Sequence, residues 1–152
     1  MYSGKKKCHT VKNTIICDLK KFIHFLGRTT QGNIHDLKLL KFDLPSAASV
    51  LASCKILVDM GYLGIGKYFE IKELLMPHKK PRKSKQNPDP KLTDDQKAFN
   101  KQVSSIRIAV EHAIGGLKQF GILVQVFRNR VEDFDDLVVE IAAGLWNLKL
   151  SH

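Results

Sequence analysis

Residues 105–118 read SIRIAVEHAIGGLK, and the apolar residues of this stretch recur at the spacing of a helix. At about 100° per residue, Arg107, Glu111 and Lys118 fall within one narrow arc of that helix, with Ser104 beside them. The apolar positions share the adjacent side and comprise Phe99, Val103, Ile106, Val110, Ile114 and Leu117. The pattern therefore predicts that Glu111 lies at the edge of the buried face.

Glu111 has two interpretations. In the first, it forms an ordinary i,i+4 ion pair with Arg107 on a solvated helix, worth a few tenths of a kcal/mol. In the second, it faces a metal ion in a site for phosphoryl chemistry, where carboxylates hold two cations about 4 Å apart. Arg107 and Lys118 would then bind phosphates. Gly115 lies close to the same face and would let another group approach the backbone.

The flanking sequence extends this helix and predicts a second one. The helix covers LTDDQKAFNKQVSSIRIAVEHAIGGLKQF, with Thr93 as its N-cap and Asp94 and Asp95 in its first turn. ILVQVF, residues 122–127, is expected to form a strand. DFDDLVVEIAAGLWNLKL, residues 133–150, predicts a final amphipathic helix with an acidic start.

The first part of the chain is expected to begin with a hairpin. CHTVKNTIIC and KFIHFLGRTT are rich in β-branched and aromatic residues, and Asp18 lies at the turn between them. GNIHDLKLLKF then predicts a helix capped by Asn33, with Asp36 in its first turn. PSAASVLAS predicts a short helix that begins at Pro45.

A short apolar run, Ile56 to Val58, predicts a strand buried on both faces. Asp59 follows it, Gly61 and Gly64 interrupt the chain directly afterwards, and IKELLMP is a weaker strand or a helix end. In open α/β sheets, ligands bind at the carboxyl ends of strands, which makes Asp59 a candidate site residue. The alternative is that Asp59 only caps the following turn. The order of elements predicts one mixed α/β sheet covered by helices.

The composition predicts a polyanionic partner. The formal net charge of the 152 residues is +10, and residues 78–91 contain six Lys or Arg, one Asp and three Pro, which indicates an exposed basic loop. A basic protein without such a partner is the alternative. No apolar run is long enough to span a bilayer, and the basic start does not resemble a signal peptide. Cys8, Cys17 and Cys54 lack metal or disulfide spacing, so we expect reduced thiols and a cytoplasmic protein.

Six ordered segments resemble the DDE transposases of bacterial insertion sequences, in the subgroup related to Harbinger-type elements. They are YSGKKKCHTVKN, GRTTQGNIHDLKLL, LVDMGYLG, PHKKPRK, LTDDQKAFNKQVSSIRIAVEHAIGGLKQF and FRNRVEDFDDLVVEIAAGLWNL. The resemblance implies a ribonuclease-H-like mixed sheet with flanking helices, and a two-metal enzyme that cleaves and transfers DNA strands. It also implies a bacterial, nucleoid-associated protein.

The resemblance assigns the acids. The second Asp of the family matches Asp59 in VDMGY, and its Glu matches Glu111 in VEH, so both are implied to be catalytic ligands of magnesium or manganese. A related signature of Tyr, Arg, Glu and Lys, spaced by two, three and six residues, matches at Arg107, Glu111 and Lys118. Ser104 replaces the Tyr, which puts any role of that hydroxyl in doubt.

In the family, the first catalytic Asp lies on a strand upstream of YSGKKK, and here that segment begins at Tyr2. We therefore expect residues 1–150 to be the C-terminal part of a catalytic domain, N-terminally truncated and lacking the first strand. A basic loop, residues 78–92, is inserted before the Glu-bearing helix. Asp18 lies in a hairpin turn and does not replace the missing acid. Asp36 and His35 are expected to lie near the site without belonging to the triad.

DNA, both transposon ends and target, is the implied partner, with a separately encoded N-terminal part or a second copy as a further one. The cations expected to contact the DNA backbone are Arg107, Lys118, Lys5, Lys6, Lys7, Lys12, Lys79, Lys80, Arg82, Lys83 and Lys85. Three functions remain open: an impaired strand-transfer enzyme, a non-catalytic DNA-binding remnant, and a basic structural protein of a nucleoprotein particle. Metal dependence separates the first two, and salt dependence separates both from a protein that does not bind DNA.

Overall fold

A computed structural model describes residues 2–3, 8–44, 48–85, 87–125, 129 and 131–152. Its strands are β1 (Tyr2–Ser3), β2 (Cys8–His9), β3 (Val11–Lys12), β4 (Ile15–Cys17), β5 (Ile23–Leu26), β6 (Thr30–Gln31), β7 (Lys55–Leu57) and β8 (Glu73–Leu75). Its helices are α1 (Asp36–Asp43), α2 (Ala48–Ser53), α3 (Asp94–Lys118) and α4 (Phe134–Leu150). Short 3-10 helices cover Met60–Tyr62, Ile65–Lys67 and Gly121–Leu123.

The chain divides into two compact units. The first unit contains Met1–Asp43 and Ile108–His152, and the second contains Leu44–Arg107. Helix α3 crosses the boundary, so its first part belongs to the second unit and its last part to the first. The fold class is mixed α/β, as the sequence predicts, but the described strands form four separate two-stranded sheets. The expected single mixed sheet is therefore wrong for these residues, because most strands pair over only two or three positions.

The predicted hairpin is present in the first unit. Strand β4 pairs with β5, and β3 pairs with β6, both antiparallel. Where the ladder is interrupted, the side chain of Asn13 donates to the carbonyl of Gly27 and to Oγ1 of Thr29. Asp18 lies at the turn, where its Oδ1 accepts from the amide of Phe22 at 3.0 Å and its Oδ2 lies 3.1 Å from Nε2 of His24. These contacts confirm the position predicted for Asp18.

The core of the first unit joins the hairpin to helices α3 and α4. Ile23, Ala113, Leu117, Ala142, Ala143 and Trp146 form one buried cluster. The side chain of Asn147 accepts from the amide of Ile23 at 2.9 Å and donates to its carbonyl at 2.8 Å. Indole Nε1 of Trp146 donates to the carbonyl of Lys21 at 2.9 Å. Asn147 of α4 thus pairs with the free backbone groups at the edge of strand β5, and the apolar face of α4 covers the hairpin.

Two local predictions in the first unit are wrong. Helix α1 begins at Asp36, so Asn33 is not its N-cap and lies in the preceding turn. The amide of Gly32 donates to the carbonyl of Thr10, which keeps this turn attached to the hairpin. Residues 122–125 form no strand, since Gly121–Leu123 is a 3-10 helix whose Leu123 packs against the core. Residues 126 and 127, the rest of the predicted strand, lie outside the described residues, as does the predicted helix start at Pro45.

The second unit contains the only parallel strand pair among the described residues. Strands β7 and β8 align Lys55 with Glu73 and Leu57 with Leu75, and the amide of Val58 continues the ladder to the carbonyl of Leu75. The prediction of a strand before Asp59 is confirmed, and IKELLMP contributes a strand. The expected burial on both faces is wrong, because Ile56, Leu57 and Val58 are only half-buried in a two-stranded pair.

Within the described part of the chain, no helix has the length and apolar character that crossing a membrane requires. Cys17 and Cys54 carry free thiols, and the side chain of Cys8 lies outside the description. Burial, followed by the nearby Asp18 carboxylate, raises the pKa of the Cys17 thiol. Cys17 is therefore a protonated residue at neutral pH rather than a reactive thiolate.

Candidate functional site

Asp59 lies at the carboxyl end of the parallel strand pair, where the chain turns into the 3-10 helix Met60–Tyr62. Its Oδ1 accepts a hydrogen bond from the amide of Met60 at 2.7 Å, so Asp59 caps this short helix. Its side chain is nevertheless 59% exposed. The two interpretations from the sequence are therefore compatible, because the cap occupies one carboxylate oxygen and the group remains open to solvent.

Arg107 of helix α3 approaches the same carboxylate. Its Nη1 lies 3.4 Å from Oδ1 of Asp59, and its side chain is 39% exposed. A contact at this long distance between two partly exposed groups contributes at most about 1 kcal/mol. The ion pair therefore brings Asp59 and Arg107 together through a weak contact.

Glu111 and Lys118 belong to the other unit and are exposed. The part of α3 in that unit packs through Ala113, Gly116, Leu117 and Phe120. At about 100° per residue, Gly116 lies about 140° and Phe120 about 180° from Glu111. The prediction that Glu111 lies at the edge of the buried face is therefore wrong, and Glu111 lies on the solvent side of the helix.

The close approach expected at Gly115 occurs at its neighbour. A Cβ added at Gly116 would overlap the six-membered ring of Trp146, whereas nothing lies within 4 Å of a Cβ at Gly115. The contact between Gly116 and Trp146 fixes which side of α3 is buried. It thereby turns the arc that contains Glu111 and Lys118 toward solvent.

The available donors suit a hard divalent cation. Asp59 and Glu111 offer carboxylate oxygens, which magnesium and manganese prefer over nitrogen or sulfur ligands. Among the described residues, no group of three His, Cys, Asp or Glu side chains is close enough to hold one metal ion. The chemistry of the two acids fits a metal, and the described residues alone do not complete a cage.

The basic loop is exposed and irregular, as predicted. Lys79, Lys80, Arg82, Lys83 and Lys85 are all exposed, and none of them forms an ion pair with another residue in the described ranges. Lys91, at the end of the loop, pairs with Asp89. Because no carboxylate of the described residues pairs with these cations, they can bind phosphates. Lys5, Lys6 and Lys7, the other predicted basic cluster, lie outside the described residues.

Asn100 is a residue that the sequence analysis did not identify. Its side-chain oxygen accepts from the amide of His78 at 2.7 Å, and its side-chain nitrogen donates to the carbonyl of His78 at 3.0 Å. The ring of His78 packs edge-on against Phe99 at 5.1 Å between centroids. Helix α3 therefore anchors the start of the basic loop. The sequence signal is weak, because an Asn inside a helix has no local bonding role that would single it out.

Lys12, His35 and Asp36 take part in contacts around the start of helix α1. Nζ of Lys12 donates to Oδ1 of Asp36 at 2.7 Å and to the carbonyl of Ile34 at 2.9 Å. Nδ1 of His35 accepts from the amide of Leu37 at 3.3 Å. Lys12 therefore has a carboxylate partner within the first unit, which makes it a weaker candidate for DNA contact than the loop cations.

Comparison with known proteins points to one family. The sequence profile described as "DDE superfamily endonuclease" matches residues 1–147. The chain is also 35% identical over 151 residues to a protein named "Probable transposase for insertion sequence element IS702" from Microchaete diplosiphon. That alignment covers 99% of the chain and 50% of the relative, so the chain spans about half the length of this curated relative. No solved structure matches the chain.

Proposed function

Because the chain belongs to the DDE superfamily endonucleases, we propose that it is part of a transposase catalytic domain that cuts and joins DNA strands. The observation that carries the proposal is the contact between Asp59 and Arg107 at the carboxyl end of the parallel strands. Two residues from separate family segments meet there, although 48 positions separate them. An unrelated basic protein has no reason to bring them together.

In this proposal, Asp59 and Glu111 supply carboxylate oxygens to divalent magnesium or manganese. When bound, such ions activate the attacking water or hydroxyl and stabilise the leaving oxygen of the phosphodiester. The amide of Met60 holds one oxygen of Asp59 in place, which reduces the freedom that this ligand must lose on binding. Arg107 exchanges its long contact with Asp59 for a phosphate, and Lys118 and the loop cations hold the DNA backbone.

The finer assignments also belong to the proposal. We assign residues 1–150 to the C-terminal part of a ribonuclease-H-like domain from the Harbinger-related subgroup, with the basic loop inserted before helix α3. A third acid, the counterpart of the first Asp of the family, would complete the metal site from outside these 152 residues. The domain then acts on transposon ends and target DNA, in the bacterial cytoplasm and at the nucleoid.

The test is a nicking assay on supercoiled DNA with magnesium or manganese. The parent chain is compared with Asp59→Asn and Glu111→Gln, which remove a charge and change little in shape. Asp133→Asn, at an exposed residue before α4, and Glu140→Gln, on the exposed side of α4, remove the same charges elsewhere. Because the third acid is not among these residues, we expect weak metal-dependent nicking in the parent and both controls, and its loss to the level without metal in the two site variants.

Two other results are informative. Salt-sensitive DNA binding without nicking in the parent would favour the second candidate, a non-catalytic DNA-binding remnant, which the unpaired cations of the loop support. Equal nicking by the parent and by both site variants would show that the two acids are wrongly assigned.

A further inference from the structure

The parallel strands β7 and β8 end at the same edge, so the residues that follow them meet. They line an open cavity of about 270 Å³, whose lining residues are Met60, Leu63, Met76, Pro77, His78 and Lys79. All of the lining side chains except His78 and Lys79 are apolar. Met60 is the next residue after Asp59, so the cavity begins beside the candidate metal ligand.

The walls of this cavity are held on two sides. On one side, Asp59 caps the 3-10 helix that carries Met60. On the other side, the bidentate contact from Asn100 and the ring of Phe99 hold His78. A groove between walls fixed in this way is present before a ligand arrives, which lowers the entropic cost of binding.

The charge around the cavity identifies a suitable ligand. Lys79 lies at the rim, and the exposed cations Lys80, Arg82 and Lys83 follow it directly along the chain. A ligand that fits both parts needs an apolar group joined to a chain of negative charges. A single nucleotide strand has this chemistry, because the face of each base is apolar and its backbone is a line of phosphates.

The size of the cavity restricts the ligand further. Its volume lies below the range of about 300–1,000 Å³ typical of pockets for drug-sized molecules. It therefore suits one base and not a stacked pair. A base inside a duplex cannot enter, so the nucleotide must be unpaired or rotated out of the stack, which costs a few kcal/mol in intact duplex and less at a strand end or nick.

We propose that the cavity formed by Met60, Leu63, Met76 and His78 binds one unpaired DNA base, while the basic loop holds the adjoining phosphates. This inference rests on the proposed function and adds a base-binding pocket to it. A captured base would anchor the strand beside Asp59 and would favour DNA that is already opened at the cleavage position. The loop has no Phe, Tyr or Trp on which a base could stack, and the cavity instead offers methionine, leucine and histidine side chains.

The test compares two single strands with the same phosphates, one normal and one containing consecutive abasic nucleotides, by fluorescence anisotropy without metal. Leu63→Ala probes the cavity, and Leu19→Ala in the other unit is the matched control, because the two leucines are 68% and 72% exposed. We expect the parent to bind the normal strand about fivefold more tightly than the abasic strand, toward the weaker end of reported stacking contributions. Leu63→Ala should remove that preference, and Leu19→Ala should keep it.

The possible failures are distinct. Salt-dependent binding of both strands with equal affinity, unchanged in Leu63→Ala, would overturn the pocket and leave the DNA-binding function in place. Absence of salt-dependent binding to any DNA would overturn the proposed function together with the pocket. If Leu63→Ala changed only the oligomeric state in size-exclusion chromatography, the cavity would be a contact surface between copies and the inference would be wrong.

Discussion

Nη1 of Arg107 lies 3.4 Å from Oδ1 of Asp59, which joins the middle of helix α3 to the carboxyl end of strand β7. The same carboxylate oxygen accepts the amide of Met60 at 2.7 Å. The short bond is local and fixes the cap, whereas the long one reaches across the unit and is partly exposed. The amide of Met60 is therefore the stronger of these two partners of the Asp59 carboxylate.

Arg107→Lys keeps the positive charge but loses the planar fork that binds a phosphate through two hydrogen bonds. We expect the free energy of unfolding to change by less than about 1 kcal/mol, because the pair is partly exposed. We expect nicking to fall about tenfold or more, since one charge-assisted hydrogen bond is worth about 1.5–3 kcal/mol. Urea denaturation and the supercoiled-DNA assay measure the two effects.

Arg28→Lys, at an exposed position of the hairpin, is the matched control and should change neither quantity. A loss of more than about 2 kcal/mol in Arg107→Lys with nicking unchanged would mean that the contact with Asp59 is structural.

The start of α3 and the hairpin turn were predictable because their signals are local. Oγ1 of Thr93 accepts from the amide of Gln96, and the side chain of Gln96 accepts in return from the amide of Thr93. This reciprocal pair lies within four residues and confirms Thr93 as the N-cap of α3. Asp18 likewise bonds within its own turn. The place of Asp59 after a strand was also predictable, since a short apolar run followed by a carboxylate is a sequence-local pattern.

The errors arose where distant residues decide the outcome. The ion pair between Lys12 and Asp36 spans 24 positions and helps to place the start of α1, which the local signal at Asn33 did not predict. The contact of Gly116 with Trp146 sets the buried side of α3 and moves Glu111 away from it. Asn100 and Asn147 each pair with both backbone groups of a distant residue, and no spacing rule identifies either.

Gly115 and Gly116 form a natural pair of test positions. Gly116→Ala places a methyl group in the ring of Trp146, so we expect a loss of about 1–3 kcal/mol in the free energy of unfolding, typical of an overpacked core. Gly115→Ala meets open space in the middle of a helix and should instead stabilise the protein by about 0.5–1 kcal/mol. Urea denaturation of both variants measures the difference.

Equal effects of the two alanine substitutions would contradict the packing of α3 against α4. Trp146 provides an independent readout, because its fluorescence should change in Gly116→Ala and not in Gly115→Ala.

Asn100→Ala removes two hydrogen bonds to the backbone of His78 and should release the start of the basic loop. At about 1 kcal/mol for each bond, local opening should become easier by about 2 kcal/mol, which is more than tenfold in the equilibrium constant. Tryptic cleavage after Lys79 should accelerate accordingly. Asn87→Ala is the control in the same loop, because its hydrogen bonds to Ser84 involve only the backbone of Asn87. Equal cleavage rates in the two variants would show that Asn100 does not anchor the loop.

The carboxylate of Asp18 in the hairpin turn should make the free energy of unfolding of the first unit depend on pH in the acid range. The hydrogen bond with His24, followed by backbone hydrogen bonds that include the amide of Phe22, lowers the pKa of Asp18 below its usual 3.8. A carboxyl with a depressed pKa in the folded state stabilises that state above the unfolded value and loses the contribution as the pH falls through the folded value. The parent should therefore lose stability between about pH 4 and the lower pKa of Asp18.

Asp18→Asn should be less stable than the parent at pH 6 and should lose less stability on acidification. Asp89→Asn, which removes an exposed loop charge, should follow the parent curve. Urea denaturation at pH 6, 4 and 3 gives the comparison, and parallel curves for Asp18→Asn and the parent would show that the turn carboxylate is not responsible for the acid dependence.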